Sequence, residues 1–255
     1  MRIRFLGTGA AEGVPAINCD CDHCTRARIE GGKLARERGA VLFSLPGYEL
    51  LVDAPPNILD LLARNQVTRL DGIFLTHHHY DHSAGLEDFI YWRKDLDLLA
   101  EPKIYSHITN EEWAGRLGEV AFHIPSRPGL AVYFDGFFTV PFGVHHSVPC
   151  FGLAFHVNGQ KIVYTSDGDS RLSNYARRLV LGADLLMVNT PFFANGPAAA
   201  HLDVGEAIAL KEQVGATRMI LTHINHLNRP HDQLEEYVRQ FPGVTVAYDG
   251  LEIEL

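Results

Sequence analysis

The 255-residue chain has no apolar run of the roughly 18–20 residues needed to cross a bilayer, so a helical membrane span is excluded. Its first residues, Met1-Arg2-Ile3-Arg4-Phe5-Leu6, give way to glycine too early for a secretory signal, and the chain is expected in the cytoplasm. Low-complexity segments, internal repeats and Pro/Gly/Ser linkers are missing, which predicts one domain over residues 1–255. Positive charge is also short: 22 Lys and Arg stand against 31 Asp and Glu, a net charge of −9. Such a surface repels a long polyanion, so nucleic acid is not an expected partner. A small phosphorylated substrate stays open, because a metal site supplies its own local positive charge. Cysteine is scarce at four, yet Cys19, Cys21 and Cys24 fall within six residues. In a reducing compartment that clustering points to a metal rather than a disulfide.

Histidine is what the chain has in quantity: 14 residues, several in tight groups. Around them, short β-type runs alternate with helical stretches. Strands are expected at Ile3–Leu6, Ala40–Ser44, Glu49–Asp53, Gly72–Leu75, Lys103–Ser106, Ala131–Phe134, Phe137–Val144, Phe151–Val157, Lys161–Thr165, Asp184–Val188, Arg218–Leu221, Val244–Ala247 and Leu251–Leu255. Helices are expected from Asn57 to Arg64, and at Thr109–Gly118, Arg171–Leu181, Asp203–Val214 and His231–Gln240. A loop of small residues and cysteine should run to about Thr25. Asp203 and Glu206 have capping-box spacing, which sets His201 just ahead of a helix. The layout predicts an α/β sandwich, two facing sheets flanked by helices (αββα).

The segment Thr76-His77-His78-His79-Tyr80-Asp81-His82 follows the apolar run Gly72–Leu75. Ligands in α/β folds gather where strands end. Imidazole suits zinc, iron and manganese, and carboxylate suits the harder ions among them. Alternate residues of an extended turn point the same way, so His77 and His79 can converge on one ion while Asp81 and His82 face a second. His78 should point away.

This His-x-His-x-Asp-His cluster resembles the metallo-β-lactamase superfamily, and four further motifs in the family's order extend the resemblance along nearly the whole chain. They are Asp53 in Leu51-Val52-Asp53-Ala54, His146 in Val144-His145-His146-Ser147, Asp167 in Tyr164-Thr165-Ser166-Asp167, and His223 in Leu221-Thr222-His223-Ile224. The resemblance implies that His77, His79 and His146 hold one ion. Asp81, His82 and His223 hold the other, Asp167 bridges both, and Asp53 orients the ligands. His145 is an alternative to His146, and Asp169 to Asp167. Pro55 follows Asp53 closely, where the family often has glycine.

Cys19, Cys21 and Cys24 offer three thiolates, and structural zinc wants four ligands in a tetrahedron. Either His23 or His226, three residues beyond His223, would complete that site. Cys150, standing alone, reads as a small buried hydrophobe. A Gly-Thr-Gly turn, Gly13-Val14-Pro15, the cysteine cluster, the intact first histidine motif, His223-x-x-His226 and the tail Ala247–Ile253 together resemble the PhnP-type phosphodiesterases of the carbon–phosphorus lyase pathway. That resemblance implies opening of 5-phosphoribosyl 1,2-cyclic phosphate to ribose 1,5-bisphosphate by two manganese or zinc ions, with one structural zinc and a homodimer. The PqqB-type proteins of pyrroloquinoline quinone biosynthesis share the cysteine cluster and tail, but they generally lack the intact first histidine motif.

On this reading two divalent ions about 3.5–4 Å apart acidify a shared water that attacks phosphorus, with Asp81 beside it. His201, in Ala200-His201-Leu202-Asp203, sits where the family has its catalytic histidine, and it is expected to protonate the leaving oxygen. Other hydrolases of the same scaffold, acting on cyclic nucleotides, tRNA 3′ ends, lactones or thioesters, carry similar ligands, and fold alone does not choose among them. A basic tRNA-gripping insertion is missing. Arg93, Lys94 and Arg229 are candidates to meet a second substrate phosphate.

Overall fold

In a computed structural model, which describes residues 1–92, 95–194 and 200–255, the chain forms two seven-stranded sheets packed face to face with helices outside. The first half carries β1 (Arg2–Gly7), α1 (Asp22–Glu30), β2 (Ala40–Leu45), β3 (Tyr48–Val52), α2 (Ile58–Arg64), β4 (Gly72–Leu75), α3 (Tyr80–Ser83), α4 (Leu86–Trp92), β5 (Leu96–Ala100), α5 (Pro102–Thr109), α6 (Leu117–Val120) and β6 (Ala121–Pro125). The second half carries β7 (Val132–Phe134), β8 (Phe137–Val144), β9 (Cys150–Val157), β10 (Gln160–Tyr164), α7 (Asn174–Val180), β11 (Leu185–Asn189), α8 (Val204–Val214), β12 (Arg218–Thr222), α9 (His231–Val238), β13 (Val244–Val246) and β14 (Glu252–Glu254). Sheet order is β14-β1-β2-β3-β4-β5-β6 in one layer and β13-β12-β11-β10-β9-β8-β7 in the other. The expected αββα architecture is therefore the observed one. Among the described residues no helix is long and apolar enough to cross a membrane.

Each sheet is antiparallel in one part and parallel in the other. β3 to β6 run parallel, as do β10 to β13. Parallel strands are covered on both faces, so they read as continuous apolar runs, as Gly72-Ile73-Phe74-Leu75 and Leu185-Leu186-Met187-Val188 do. Strand alternation then divides each run between two layers. Phe43, Leu50, Val52, Phe74 and Leu99 of the first sheet meet Phe155, Ile162, Leu185, Met187 and Ile220 of the second in the central core. Phe43 stacks on Phe155 with ring centroids 4.3 Å apart. Leu42, Leu51, Ile73 and Leu98 face outward beneath α2, α4 and α5, and Val163, Leu186, Val188 and Leu221 do so beneath α7, α8 and α9.

Several expected elements are corrected. Lys103–Ser106 lies in α5, because Pro102 opens the helix and the Glu101 side chain caps it by accepting from the Lys103 amide. The strand at that point of the chain is β5, paired parallel between β4 and β6. The cysteine loop turns helical at Asp22, where the Cys21 thiol acts as the cap. The helix expected at Thr109–Gly118 is a 3₁₀ turn, Glu112–Arg116, followed by α6. α7 starts at Asn174 rather than Arg171, because the Ser173 hydroxyl accepts from the Ala176 amide. α4 had no counterpart in the expected elements. The capping box of α8 forms as its spacing implies.

The consequence for function is topological. β3, β4, β8, β10, β11 and β12 all deliver their C-terminal ends to one edge of the sandwich, where Asn189 closes β11 and Asp53, residues 76–82, His145 and His146, residues 165–169 and His223 follow the others. Asp53, Ser166 and His223 hold φ at 65°, 55° and 57°. Non-glycine residues pay for such left-handed backbone by about 1–2 kcal/mol each, and strain of this kind concentrates at functional sites.

Candidate metal centre

The chain leaves β4 at Thr76, whose amide and hydroxyl both donate to Asp53 Oδ1 at 2.9 Å. That pairing fixes the direction in which His77 departs. Residues 77–79 stay extended, and α3 then turns Asp81 and His82 inward. The expected extended turn therefore covers only the first two ligands; a helical turn brings the next two.

Two groups of donor atoms result, with Asp167 close to both. His77 Nε2 and His146 Nε2 each approach His79 Nδ1 to 3.1 Å. His82 Nε2 lies 3.3 Å from Asp81 Oδ2, and Asp81, His82 and His223 form a second group. Asp167 Oδ2 lies 3.4 Å from His82 Nε2 and 3.2 Å from His223 Nε2, and Asp167 also groups with His77 and with His146. Neutral imidazoles meeting nitrogen to nitrogen, with their lone pairs on a common point, suit a shared cation. The buried His82 Nε2 and Asp167 Oδ1 have no hydrogen-bond partner in the protein, which again fits a cation at the centre of the group. Burial opposes an imidazolium at His82, yet Asp53, Asp167 and Asp81 around it push its pKa well above the usual value. A cation is favoured at the same place for the same reason. Burial first, then the neighbouring His82, holds His77 well below the usual imidazole range. Burial tends to raise Asp81, but His82 and His223 outweigh it and bring its pKa to about 2.

The nitrogens facing away from the cluster are mostly engaged. His77 Nδ1 meets the Thr76 hydroxyl at 2.9 Å, His82 Nδ1 meets Asp53 Oδ2 at 2.7 Å, His79 Nε2 meets the Ser147 hydroxyl at 3.4 Å, and His146 Nδ1 meets the Ala200 carbonyl at 3.3 Å. Such outer partners orient rings and select tautomers at metal sites. His223 Nδ1 is the exception, buried without a partner.

The two open choices resolve geometrically. His145 turns away to Asp169, 3.0 Å from Nδ1 to Oδ2, and Asp169 in turn holds Arg171. Neither His145 nor Asp169 joins the cluster; His146 and Asp167 do. His78 also points away, its ring tilted against that of His107 with centroids 3.8 Å apart. His201 stands with His146 and Asp167, a donor atom of each within 4.8 Å of the others. Burial lowers its pKa to about 4. Its Nδ1 meets Asn189 Oδ1 at 2.9 Å, a partner for which the sequence carried no signal beyond an asparagine closing an apolar strand. Arg229 lies over the Phe193 ring at 3.5 Å and near Tyr237, so its guanidinium braces that loop. Arg93 and Lys94 lie outside the described residues.

Cys19, Cys21, Cys24 and His226 gather as a separate group. His226 Nδ1 lies 3.3 Å from Cys19 Sγ and 3.7 Å from Cys21 Sγ. Cys24 Sγ accepts from the Ala16 amide at 3.2 Å, and burial pushes this thiol up to about 12. His23 is turned to the Asn228 carbonyl at 3.3 Å and is not in the group. Cys150 is buried beside Ser166.

Residues 48–224, more than half of the chain, match the family described as the Beta-lactamase superfamily domain. The chain belongs to this superfamily. Within it, the chain is 27% identical over 300 residues to Coenzyme PQQ synthesis protein B of Methylobacterium sp., covering 100% of both proteins. It is 28% identical over 228 residues to the probable metallo-hydrolase YhfI of Bacillus subtilis, covering 82% of this chain and 89% of that one. It also matches an octanoyltransferase of Porphyromonas gingivalis at 25% identity, but spans only 51% of that longer protein. Among solved structures, a diphosphatase from the PhnP family superposes with a TM-score of 0.86 at 24% identity, covering 100% of this chain and 97% of that one. The fold is thus that of the superfamily's metallo-hydrolases, with candidate metal sites at the edge where their strands end.

Proposed function

We propose that this superfamily member is a dinuclear metal-dependent phosphodiesterase acting on a small phosphorylated substrate. The observation that carries the reading is the pair of donor groups joined by Asp167. A closed structural site needs four ligands, whereas the side chains here form overlapping groups, with Asp167 beside His77 and His82 in one and beside His146 and His201 in another. His77, His79 and His146 would hold one ion, and Asp81, His82 and His223 the other, with Asp167 between them. When bound, a pair of divalent ions such as manganese or zinc acidifies a shared water and neutralises charge on a phosphoryl group.

The chain's own residues do the rest. Asp53 and Thr76 set the departure of the histidine segment from β4. Asp81, ionised at neutral pH, accepts a hydrogen bond from the attacking water and orients it. His201 faces the same space as the proton-transfer residue. Cys19, Cys21, Cys24 and His226 would hold a structural zinc whose loop continues directly from His223. By the resemblance to PhnP-type enzymes, 5-phosphoribosyl 1,2-cyclic phosphate, opened to ribose 1,5-bisphosphate, is the first substrate to try. A homodimer working in the cytoplasm belongs to the same proposal.

Two measurements test this. Elemental analysis should find two ions per chain released together by mild chelation, and a third, zinc, that stays. Phosphorus NMR of the cyclic diester and of simple diesters with manganese-loaded protein should show monoester formation that chelator abolishes. A fully loaded protein inert to every diester would overturn the enzymatic reading. The full-length similarity to Coenzyme PQQ synthesis protein B would then favour a metal protein without turnover.

A further inference from the structure

One arginine on the rim of the metal centre has no part in holding the ions. Arg38 precedes β2, and Gly9 bridges it on one side and Ile224 on the other. Only glycine allows that approach, because a Cβ at Gly9 would meet the Glu37 carbonyl oxygen at 2.9 Å. Ile224 follows the ligand His223, and a Cβ on Gly39, the residue after Arg38, would stand 3.6 Å from His223 Nδ1. On its other side the Arg38 guanidinium lies over the Tyr80 ring, 6.0 Å from its centroid. Tyr80 separates the ligands His79 and Asp81 and is 67% exposed. Arg38 is therefore set between a ligand-bearing segment of each sheet, on the solvent side of the centre.

Its guanidinium is aimed but not neutralised. Nε donates to the Ala11 carbonyl at 2.7 Å, which fixes the direction of the group. The carboxylates closest to these residues along the chain are engaged elsewhere: Glu37 accepts from Asn57 and Arg64, and Glu12 accepts from Asn225. Among the described residues no carboxylate forms an ion pair with Arg38, whereas Arg64, Arg69 and Arg171 each have one. Arg229 is held instead by the rings of Phe193 and Tyr237. In a chain of net charge −9, an arginine at this rim without a carboxylate of its own is suited to an anion that arrives from outside. The planar fork of a guanidinium grips phosphate oxygens in pairs.

We propose that Arg38 is a specificity-determining residue that binds a second phosphate of the substrate, away from the phosphorus attacked at the metal centre, with the Tyr80 ring keeping the guanidinium in place. The proposal rests on the phosphodiesterase reading and narrows the substrate class to diesters that also carry a phosphomonoester. A metal centre attracts any phosphate, so by itself it does not tell a diester with a second phosphate from one without. Arg38 adds a contact that only the doubly phosphorylated molecule completes, and it offsets locally the repulsion between that molecule and an acidic surface. The contact is distant from the reacting bond and is the same in ground state and transition state, so it acts on KM.

The test compares metal-loaded wild type, Arg38→Gln and Arg38→Lys, each first shown by elemental analysis to hold its ions. Calorimetry with ribose 1,5-bisphosphate and with ribose 1-phosphate reads the second phosphate without turnover. Wild type should prefer the bisphosphate by about 10–100-fold, the worth of a hydrogen-bonded charge pair. That preference should fall to within about threefold in Arg38→Gln and lie between the two in Arg38→Lys, which keeps the charge and loses the fork. In turnover, kcat/KM for 5-phosphoribosyl 1,2-cyclic phosphate relative to ribosyl 1,2-cyclic phosphate should fall by the same factor, through KM. An equal preference in wild type and Arg38→Gln, or none in wild type, would overturn the proposal, whatever diesters are hydrolysed. The expected binding pattern in a protein inert to every diester would uphold the role of Arg38 and count against the phosphodiesterase reading alone.

Discussion

The two candidate metal groups lie on one stretch of chain, His223 in one and His226 in the other, yet they are built differently. The histidine–carboxylate group draws on four strand ends from both sheets, is largely buried, and has an outer partner for most of its rings. The thiol group comes from a short loop, the first turn of α1 and one histidine, and Cys19, Cys21 and His226 are only partly buried. The first group gathers its donors in overlapping sets, with Asp167 belonging to more than one of them. The second has four donors converging on one point, as a structural zinc requires. The difference teaches that a long framework positions the reactive group while the metal itself would organise the local one.

The largest effect that would break this contrast is at Asp167. Asp167→Asn should bring diester turnover down to the metal-free background and reduce the loosely held ions from two, read by elemental analysis, with the thermal midpoint little changed. Cys24→Ser should do the reverse. Losing a structural metal costs on the order of 4 kcal/mol, or a Tm drop of about 10 °C at this size, and scanning calorimetry should show that drop with the two-ion content retained at low temperature. If each variant abolished both properties, the groups would be one cooperative unit.

An intermediate effect is expected at Asp53, which orients His82 and receives Thr76. Asp53→Asn keeps an acceptor but loses the charge, and should weaken metal affinity about 10–100-fold in a competitive chelator titration. The thiol group has no comparable buried carboxylate, so its zinc retention should be unaffected.

A smaller effect concerns pH. His231, buried against Arg36 at 3.0 Å, has its pKa brought down to about 4, chiefly by burial and then by the guanidinium. The folded protein thus binds fewer protons than the unfolded chain between about pH 6.5 and 4, and stability is lost as pH falls through that window, by up to about 2–3 kcal/mol from this residue. Asp249, raised to about 6 mainly by burial, has the opposite slope in the same range. Denaturant midpoints against pH should flatten in His231→Gln and steepen in Asp249→Asn. The smallest effect is at His145, tied to Asp169 and outside the cluster. His145→Ala should change turnover by less than about threefold, since removing an exposed ion pair is worth under about 1 kcal/mol.

Much of the site was legible because its signals are local. Two histidines, an aspartate and a histidine within six residues after an apolar strand announce metal chemistry wherever the chain folds. The cysteine spacing and the capping box at Asp203 are local in the same way. Less legible was β5, whose Leu96-Asp97-Leu98-Leu99-Ala100 owes its strand conformation to β4 and β6 on either side. Nor did the sequence choose between His145 and His146, because adjacent residues on an extended segment face opposite ways and only the position of Asp169 shows which faces outward.

The sequence by itself determined the sandwich, the donor types and their order, since hydrophobic alternation and residue chemistry are written along the chain. Only the tertiary structure decided which atoms converge. Asn189 ends β11 while Ser166 and Gly168 follow β10, and the contacts that join them to each other and to His201 exist only once those strand ends have been brought together.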